Sequence, residues 1–143
     1  MKKFAVTLLV ALAVSLAAVA QAPEPDPKQV VERFLEAFNR HDVEGMLSLA
    51  HADVQWLTVA DDKISVDTAG QAALRDSMKS YFASLPTARS TFESTMVAGP
   101  YVTVMERARW QGKSGERTQA ALAVYEVREG KVRRVWYFHP AIP

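Results

Sequence analysis

Residues 120–140, AALAVYEVREGKVRRVWYFHP, constrain the fold more than any other stretch of the chain. Leu122, Val124, Tyr125 and Val127 precede Arg128-Glu129-Gly130-Lys131, and Val132, Val135, Trp136, Tyr137 and Phe138 follow it. Two arms rich in β-branched and aromatic residues suit a pleated, half-buried surface. Gly130 can take the positive φ that a short hairpin loop needs. The chain therefore closes on a hairpin, and the earlier elements are expected to pack on its sheet.

At the other end, Lys2 and Lys3 open an uncharged, largely apolar run from Phe4 to Ala20. Small residues then alternate at Ala18, Ala20 and Ala22, the layout of a secretory signal peptide over residues 1–22. Cleavage is expected after Ala20 or Ala22; Pro23 makes the second site the awkward one. The competing reading is an uncleaved anchor, for which the run is at the short edge. Export would place the protein in a periplasm or outside the cell, with no stable membrane insertion once the leader is removed. Residues 23–26 read as a proline-rich spacer, and residues 27–140 as one domain, the usual yield of a chain of 143 residues.

The full chain carries a formal charge of +1, and loss of Lys2 and Lys3 leaves 15 − 16 = −1. A nearly neutral surface with no basic run argues against a nucleic-acid partner. The absence of cysteine excludes a disulfide scaffold and a thiol nucleophile. Three histidines without ligand spacing give no metal site, and no Gly-rich phosphate loop or other cofactor motif is present. No cofactor is implied.

Helical periodicity dominates the first half. Asp26 can cap a helix that begins at Pro27 and carries Val30, Val31, Phe34, Leu35 and Phe38 on one side. Asp42 can cap a short second helix that buries Met46, Leu47 and Leu49. Asp53 to Val59 reads as a strand and Ala60 to Lys63 as a loop. Thr68 to Gln71 reads as a capping box opening a third helix, with Leu74, Met78, Tyr81 and Phe82 buried, that ends near Pro86. Strands follow at Ser90 to Ala98 and Tyr101 to Trp110, then the closing hairpin. Helices first and an antiparallel meander afterwards make an α+β fold.

Alternation along Tyr101 to Trp110 puts Glu106 on one face with Val102, Val104, Ala108 and Trp110. A carboxyl among apolar neighbours is desolvated and held toward its neutral form, a useful state for an acid or base. The structural alternative is an ion pair with a nearby arginine. His139 shares the face of Tyr137 and Val135 and titrates near neutrality, so it is the second acid/base candidate; otherwise it is a surface histidine. Trp56, Trp110, Tyr125, Trp136 and Tyr137 are candidate walls of a ligand pocket or simply core. Arg107 and Arg109, with Tyr101, occupy the opposite strand face, as a solvated, anion-holding or interface surface.

The Glu-Gly-Lys-Val turn between apolar strands, the Trp-Tyr-Phe-His ending, and VVERFLEAFNRHDVEGMLSLAHADVQW with its polar break at Asn39, Asp42 and Gly45 resemble SnoaL-like domains of the nuclear transport factor two-like superfamily. The resemblance spans roughly residues 27–140. It implies a cone: a curved antiparallel sheet with three N-terminal helices on its concave face, a pocket at the open mouth, and homodimerisation through the sheet. Phe34, Trp56, Trp110, Ala123, Tyr125 and Tyr137 would line that pocket. The ketosteroid isomerases of the superfamily use a tyrosine and two acids whose places here look like Phe34, Thr58 and Ala123, so those roles are empty. The limonene epoxide hydrolases use an arginine, matched by Arg107, and two acids, replaced by Arg109 and His139. Three functions stand as expectations: a binder of a small apolar molecule, an isomerase or cyclase using Glu106 and His139, or a dimeric docking scaffold.

Overall fold

The computed structural model describes residues 23–138; the leader with its cleavage sites, and His139, lie outside the described residues. Helix α1 (Pro27–Asn39) begins where expected. The Asp26 carboxylate accepts from the Lys28 N–H at 3.1 Å, and Pro27 gives up no useful donor at the first helical position. Val30, Val31, Phe34 and Ala37 form its buried face. Helix α2 (Val43–Ser48) is capped by Asp42, whose Oδ1 accepts from the Gly45 N–H at 2.8 Å. A Cβ on residue 45 would fall 2.2 Å from Asp42 Oδ2, so this cap needs glycine there.

Strand β1 (Ala50–Ala60) pairs with β2 (Lys63–Ala69), a strand not expected from the sequence, where Lys63 reads as loop and Thr68 as a helix cap. Asp61 takes φ 53° in the tight connection. The expected Thr68–Gln71 capping box does not form. Thr68 belongs to β2, and helix α3 (Gly70–Ser84) starts from an Ala69 cap with no side-chain bond. Gln71 instead donates to the carbonyls of Leu47 and Ala50, at 3.2 and 2.9 Å. A strand running directly into a helix leaves that amide free to tie α3 to the α2–β1 junction.

Strands β3 (Arg89–Ala98), β4 (Tyr101–Gly112), β5 (Gly115–Arg128) and β6 (Lys131–Phe138) complete the antiparallel meander. The last turn pairs Arg128 with Lys131, with Glu129 and Gly130 both at positive φ, 52° and 68°. That suits the right-handed twist of a two-residue hairpin. The sheet order is β2-β1-β6-β5-β4-β3, and the β1–β6 pairing is parallel. Everything from β2 to β5 lies between those two strands, which gives the chain length that a parallel crossover requires.

The helices cover one face of this sheet. Val31, Phe34, Leu74 and Phe82 meet Val102, Val104, Ala123, Tyr125 and Val135 in a single core. On the other face a cross-strand row runs through all six strands: Met96, Thr103, Val124, Trp136, Leu57 and Val66. Met96 and Val66 at its two ends are 67% and 53% exposed.

Strand β3 is an edge, yet its backbone at Ser90 is satisfied by a helix side chain. Asn39 Nδ2 donates to the Ser90 carbonyl at 2.9 Å, and the Ser90 N–H donates to Asn39 Oδ1 at 2.7 Å. One amide side chain thus replaces a neighbouring strand. Asn39→Ala is expected to lower unfolding free energy by about 1–3 kcal/mol, since it strands two part-buried backbone groups. Denaturant melts would read this; a change below about 0.5 kcal/mol, the range of an ordinary surface substitution, would remove Asn39 from that role.

Candidate functional site

Between the helices and the concave sheet lies a cavity of 440 Å³. Its depth is set by Phe34 from α1, Tyr125 from β5, and Glu106 and Ser90, all buried. Its rim carries the exposed Asp67, Ser77 and Gln119. Phe34 stands at the centre of the walls, its ring centroid 6.4 Å from Trp56 and 6.5 Å from Tyr125. Trp56 in turn stacks on Tyr137 at 6.2 Å.

Two β-bulges shape this space. Phe92 pairs with Glu106 and Ser94 with Met105, so Glu93 is the extra residue directly beside Glu106. Glu93 turns to the outer face, where Arg107 forks onto its carboxylate. Across the sheet, Trp56 pairs with Thr68 and Leu57 with Val66, which makes Asp67 the extra residue of β2. Asp67 accepts from the hydroxyls of Thr58 and Ser65 and lines the cavity mouth. A bulge bends its strand and re-aims a side chain; here one places a carboxylate at the mouth and the other curves the sheet at the buried one.

Glu106 is 6% exposed. Burial raises its carboxyl above the ordinary value of 4.5, and nearby hydroxyls offset this only in part. The Tyr125 hydroxyl donates to Glu106 Oε2 at 3.2 Å. Ser90 and Tyr137 also act to lower it, but Ser90 Oγ reaches no acceptor or donor in hydrogen-bond geometry and is a buried hydroxyl without a partner among the described residues. Burial and then the Glu106 charge push the phenols of Tyr81, Tyr125 and Tyr137 upward, so all three remain protonated donors. No arginine, lysine or histidine among the described residues lines the cavity beside Glu106. The chemical capability is that of an acid held neutral past its usual range, ringed by phenols and facing an apolar space.

Of the expected site residues, Glu106, Phe34, Trp56, Trp110, Tyr125 and Tyr137 meet at this cavity. Ala123 does not: it is fully buried opposite Val104 and Tyr137, inside the packed core rather than on its open surface. His139 is outside the described residues. Trp136 faces the outer side with Val124. Asp67, Tyr81 and Ser90 join the site without a sequence signal for that role. Asp67 and Ser90 owe their places to the unforeseen β2 with its bulge and to the Asn39 clamp, whereas Tyr81 lies at a helical spacing that does not separate core from cavity wall. Among the described residues, no cluster of three His, Asp or Glu is close enough to hold a metal ion, and no helix is long and apolar enough to cross a membrane.

A family model described as a SnoaL-like domain matches residues 31–135. No curated protein matches the chain. Among solved structures it is similar to an uncharacterised cystatin-fold protein from Novosphingobium aromaticivorans, at 19% identity over 80% of this chain and 99% of that one, with a TM-score of 0.71. It is also similar to TerC, crystallised with polyporic acid, at 19% identity over 80% and 91% of the two chains and a TM-score of 0.67. A putative ketosteroid isomerase from Kribbella flavida gives 19% identity, 82% and 79% coverage, and a TM-score of 0.67. Identities this low establish a shared fold.

The raised carboxyl has a consequence for stability. Between pH 4.5 and Glu106's own higher value the folded protein holds a proton that the unfolded chain has lost, so stability falls as pH rises through that window. Glu106→Gln, which cannot ionise, is expected to melt higher than the parent at pH 8, with the gap closing toward pH 4.5. A gap that does not change with pH would show that Glu106 is not desolvated in solution.

Proposed function

The chain belongs to the SnoaL-like domain family, and from that premise we propose that it is an exported protein that binds a small, largely apolar molecule in the cavity between its helices and its sheet. The observation that carries this reading is the unfilled 440 Å³ of aromatic-walled space in an otherwise packed core. Interiors are normally close-packed, and a space of this size matches ligand sites rather than packing faults. A polar rim over an apolar interior with a few polar groups at depth is the arrangement that orients one face of an apolar ligand. TerC, a structure of the same fold, was crystallised with polyporic acid. Export rests on the leader pattern of residues 1–22.

A catalytic reading has one specific support, the buried Glu106 with its phenol neighbours. In that reading Glu106 exchanges a proton with a bound carbonyl or ring compound while Tyr81 or Tyr137 donates to the oxygen that gains charge. The places of the isomerase groups at Phe34, Thr58 and Ala123 remain without acids or a phenol. The Asp67 carboxylate does reach Thr58 from β2.

Binding can be read with an uncharged apolar fluorophore, N-phenyl-1-naphthylamine. One molecule is expected per chain, quenching Trp56 and Trp110, which line the cavity. Ala108→Trp fills that space from the wall and is expected to weaken binding at least tenfold, at a stability cost of about 1–3 kcal/mol. Undiminished binding in a folded Ala108→Trp variant would move the ligand elsewhere. A rate lost in Glu106→Gln with binding retained would favour the catalytic reading.

The outer row supports a homodimer built on the open sheet face, because Val124 and Trp136 at its centre are flanked by the exposed Met96 and Val66. Native mass spectrometry of protein recovered from the periplasm is expected to give a dimer of chains beginning at Gln21 or Pro23. Val124→Glu should give monomers. A monomeric parent would exclude the dimer, and a chain still carrying residues 1–22 would exclude cleavage.

A further inference from the structure

The cavity proposed to hold an apolar molecule also has a preferred charge. Resting on that reading of the cavity, we infer that the ligand carries a protonated amine, seated against Glu106 and Ser90, on an apolar body held among aromatic rings. The first support is the charge inventory. The carboxyl groups that line the cavity among the described residues are those of Asp67 and Glu106, and no lysine, arginine or histidine joins them. The arginines of β4 alternate to the outer face, where Arg107 is taken up by Glu93 and Arg109 is exposed. An anionic ligand would keep Glu106 protonated, face the Asp67 carboxylate at the mouth, and meet no cation.

The second support is the walls. Phe34, Trp56, Tyr81, Tyr125 and Tyr137 present ring surfaces to the space, and the negative faces of aromatic rings attract a cation most strongly where water is excluded. The third is the polar floor. Ser90 Oγ is buried without a partner, its backbone fixed on both sides by Asn39. A buried hydroxyl that faces Glu106 at a cavity wall can be completed by a group that enters the cavity. An ammonium has three N–H donors, and Ser90 Oγ and the Glu106 carboxylate offer two acceptors diagonally across paired strands, Ser90 opposite Ala108 and Glu106 opposite Phe92.

The groups facing Glu106 are Tyr81 from α3, Ser90 from β3, Tyr125 from β5 and Tyr137 from β6, with Asp67 at the mouth. None is a cation. A bound ammonium therefore supplies the counter-ion that the fold withholds, and Glu106 gives up its proton to solvent as the cation enters. Affinity for an amine should rise with pH until Glu106 is fully ionised, while affinity for an uncharged analogue should not rise.

The test uses three probes of one shape on the mature protein: tryptamine, tryptophol and indole-3-acetate, titrated by calorimetry at about pH 8.5. There the amine is still charged and an ordinary histidine side chain is neutral. Tryptamine is expected to bind at least about tenfold tighter than tryptophol, with indole-3-acetate weakest. Glu106→Gln should bring tryptamine and tryptophol to similar affinity. Ser90→Ala should weaken tryptamine more than tryptophol. In the parent protein, titrations below pH 7 in buffers of different ionisation heat should show proton release with tryptamine only. Tryptophol binding as tightly as tryptamine, or a preference unchanged in Glu106→Gln, would overturn the inference. If none of the three binds while N-phenyl-1-naphthylamine does, the amine falls and the apolar pocket stands. If that fluorophore also fails, both fall.

Discussion

The parallel ladder between β1 and β6 is the join on which the rest of the structure depends. Its register runs from Ala50 opposite Val132 to Val59 opposite Phe138, and the Val132 N–H also donates to the Leu49 carbonyl at 2.8 Å. On one side of it stand β2, β1 and the α3 helix that β2 leads into; on the other stands the meander β3 to β6. Neither part has a complete concave face alone. The same ladder sets Trp56 beside Val135 and brings its ring against Tyr137. The cavity wall is therefore a consequence of the longest-range pairing in the chain, and it cannot form before both halves are present.

Curvature then decides where space is left. A sheet that bends toward its helices cannot be filled evenly by three short helices. The bulges at Asp67 and Glu93 concentrate the bend at two places on the cavity. Asn39 holds the edge strand to α1 at Ser90, next to the second bulge. These are backbone devices, and each puts a polar atom at an otherwise apolar surface.

Their backbone nature explains what is legible in the sequence. The closing hairpin, the caps at Asp26 and Asp42, and the inward face of β4 with Glu106 follow from periodicity and turn chemistry, which are local. The aromatic walls are legible as residue types. Strand β2 is not, because Ile64 and Val66 alternate with Lys63 and Ser65 over only four residues, too short a run to read as a strand, and the segment continues into a helix without a break; pairing with β1 makes it a strand. Asp67 and Ser90 become site residues through that pairing and through a contact with Asn39 fifty-one positions away. Ala123 is expected at the pocket from resemblance alone, yet it is a small side chain, fully buried at the centre of its strand between Val104 and Tyr137.

Two buried glutamates show that the unpaired state of Glu106 is a local choice rather than a limit of the fold. Glu126, on the outer face of β5, is 3% exposed, but it is covered rather than deep: Arg128 and Arg134 lie over it, bonded at 2.8 and 3.0 Å. Burial acts to raise its carboxyl, and the two guanidiniums outweigh burial and hold it below the ordinary range. Glu106 sits twenty residues earlier on the neighbouring strand, with arginines close after it in Arg107 and Arg109, and alternation sends both to the other face. A single-residue slip of β4 would turn Glu106 outward and Arg107 and Arg109 toward the cavity. Breaking a buried pair is costly, and so is a buried carboxyl that never had one. The fold tolerates that cost only at the wall of its cavity, where an entering molecule can complete the interaction. This is why the uncompensated glutamate and the unfilled space are best understood as one feature.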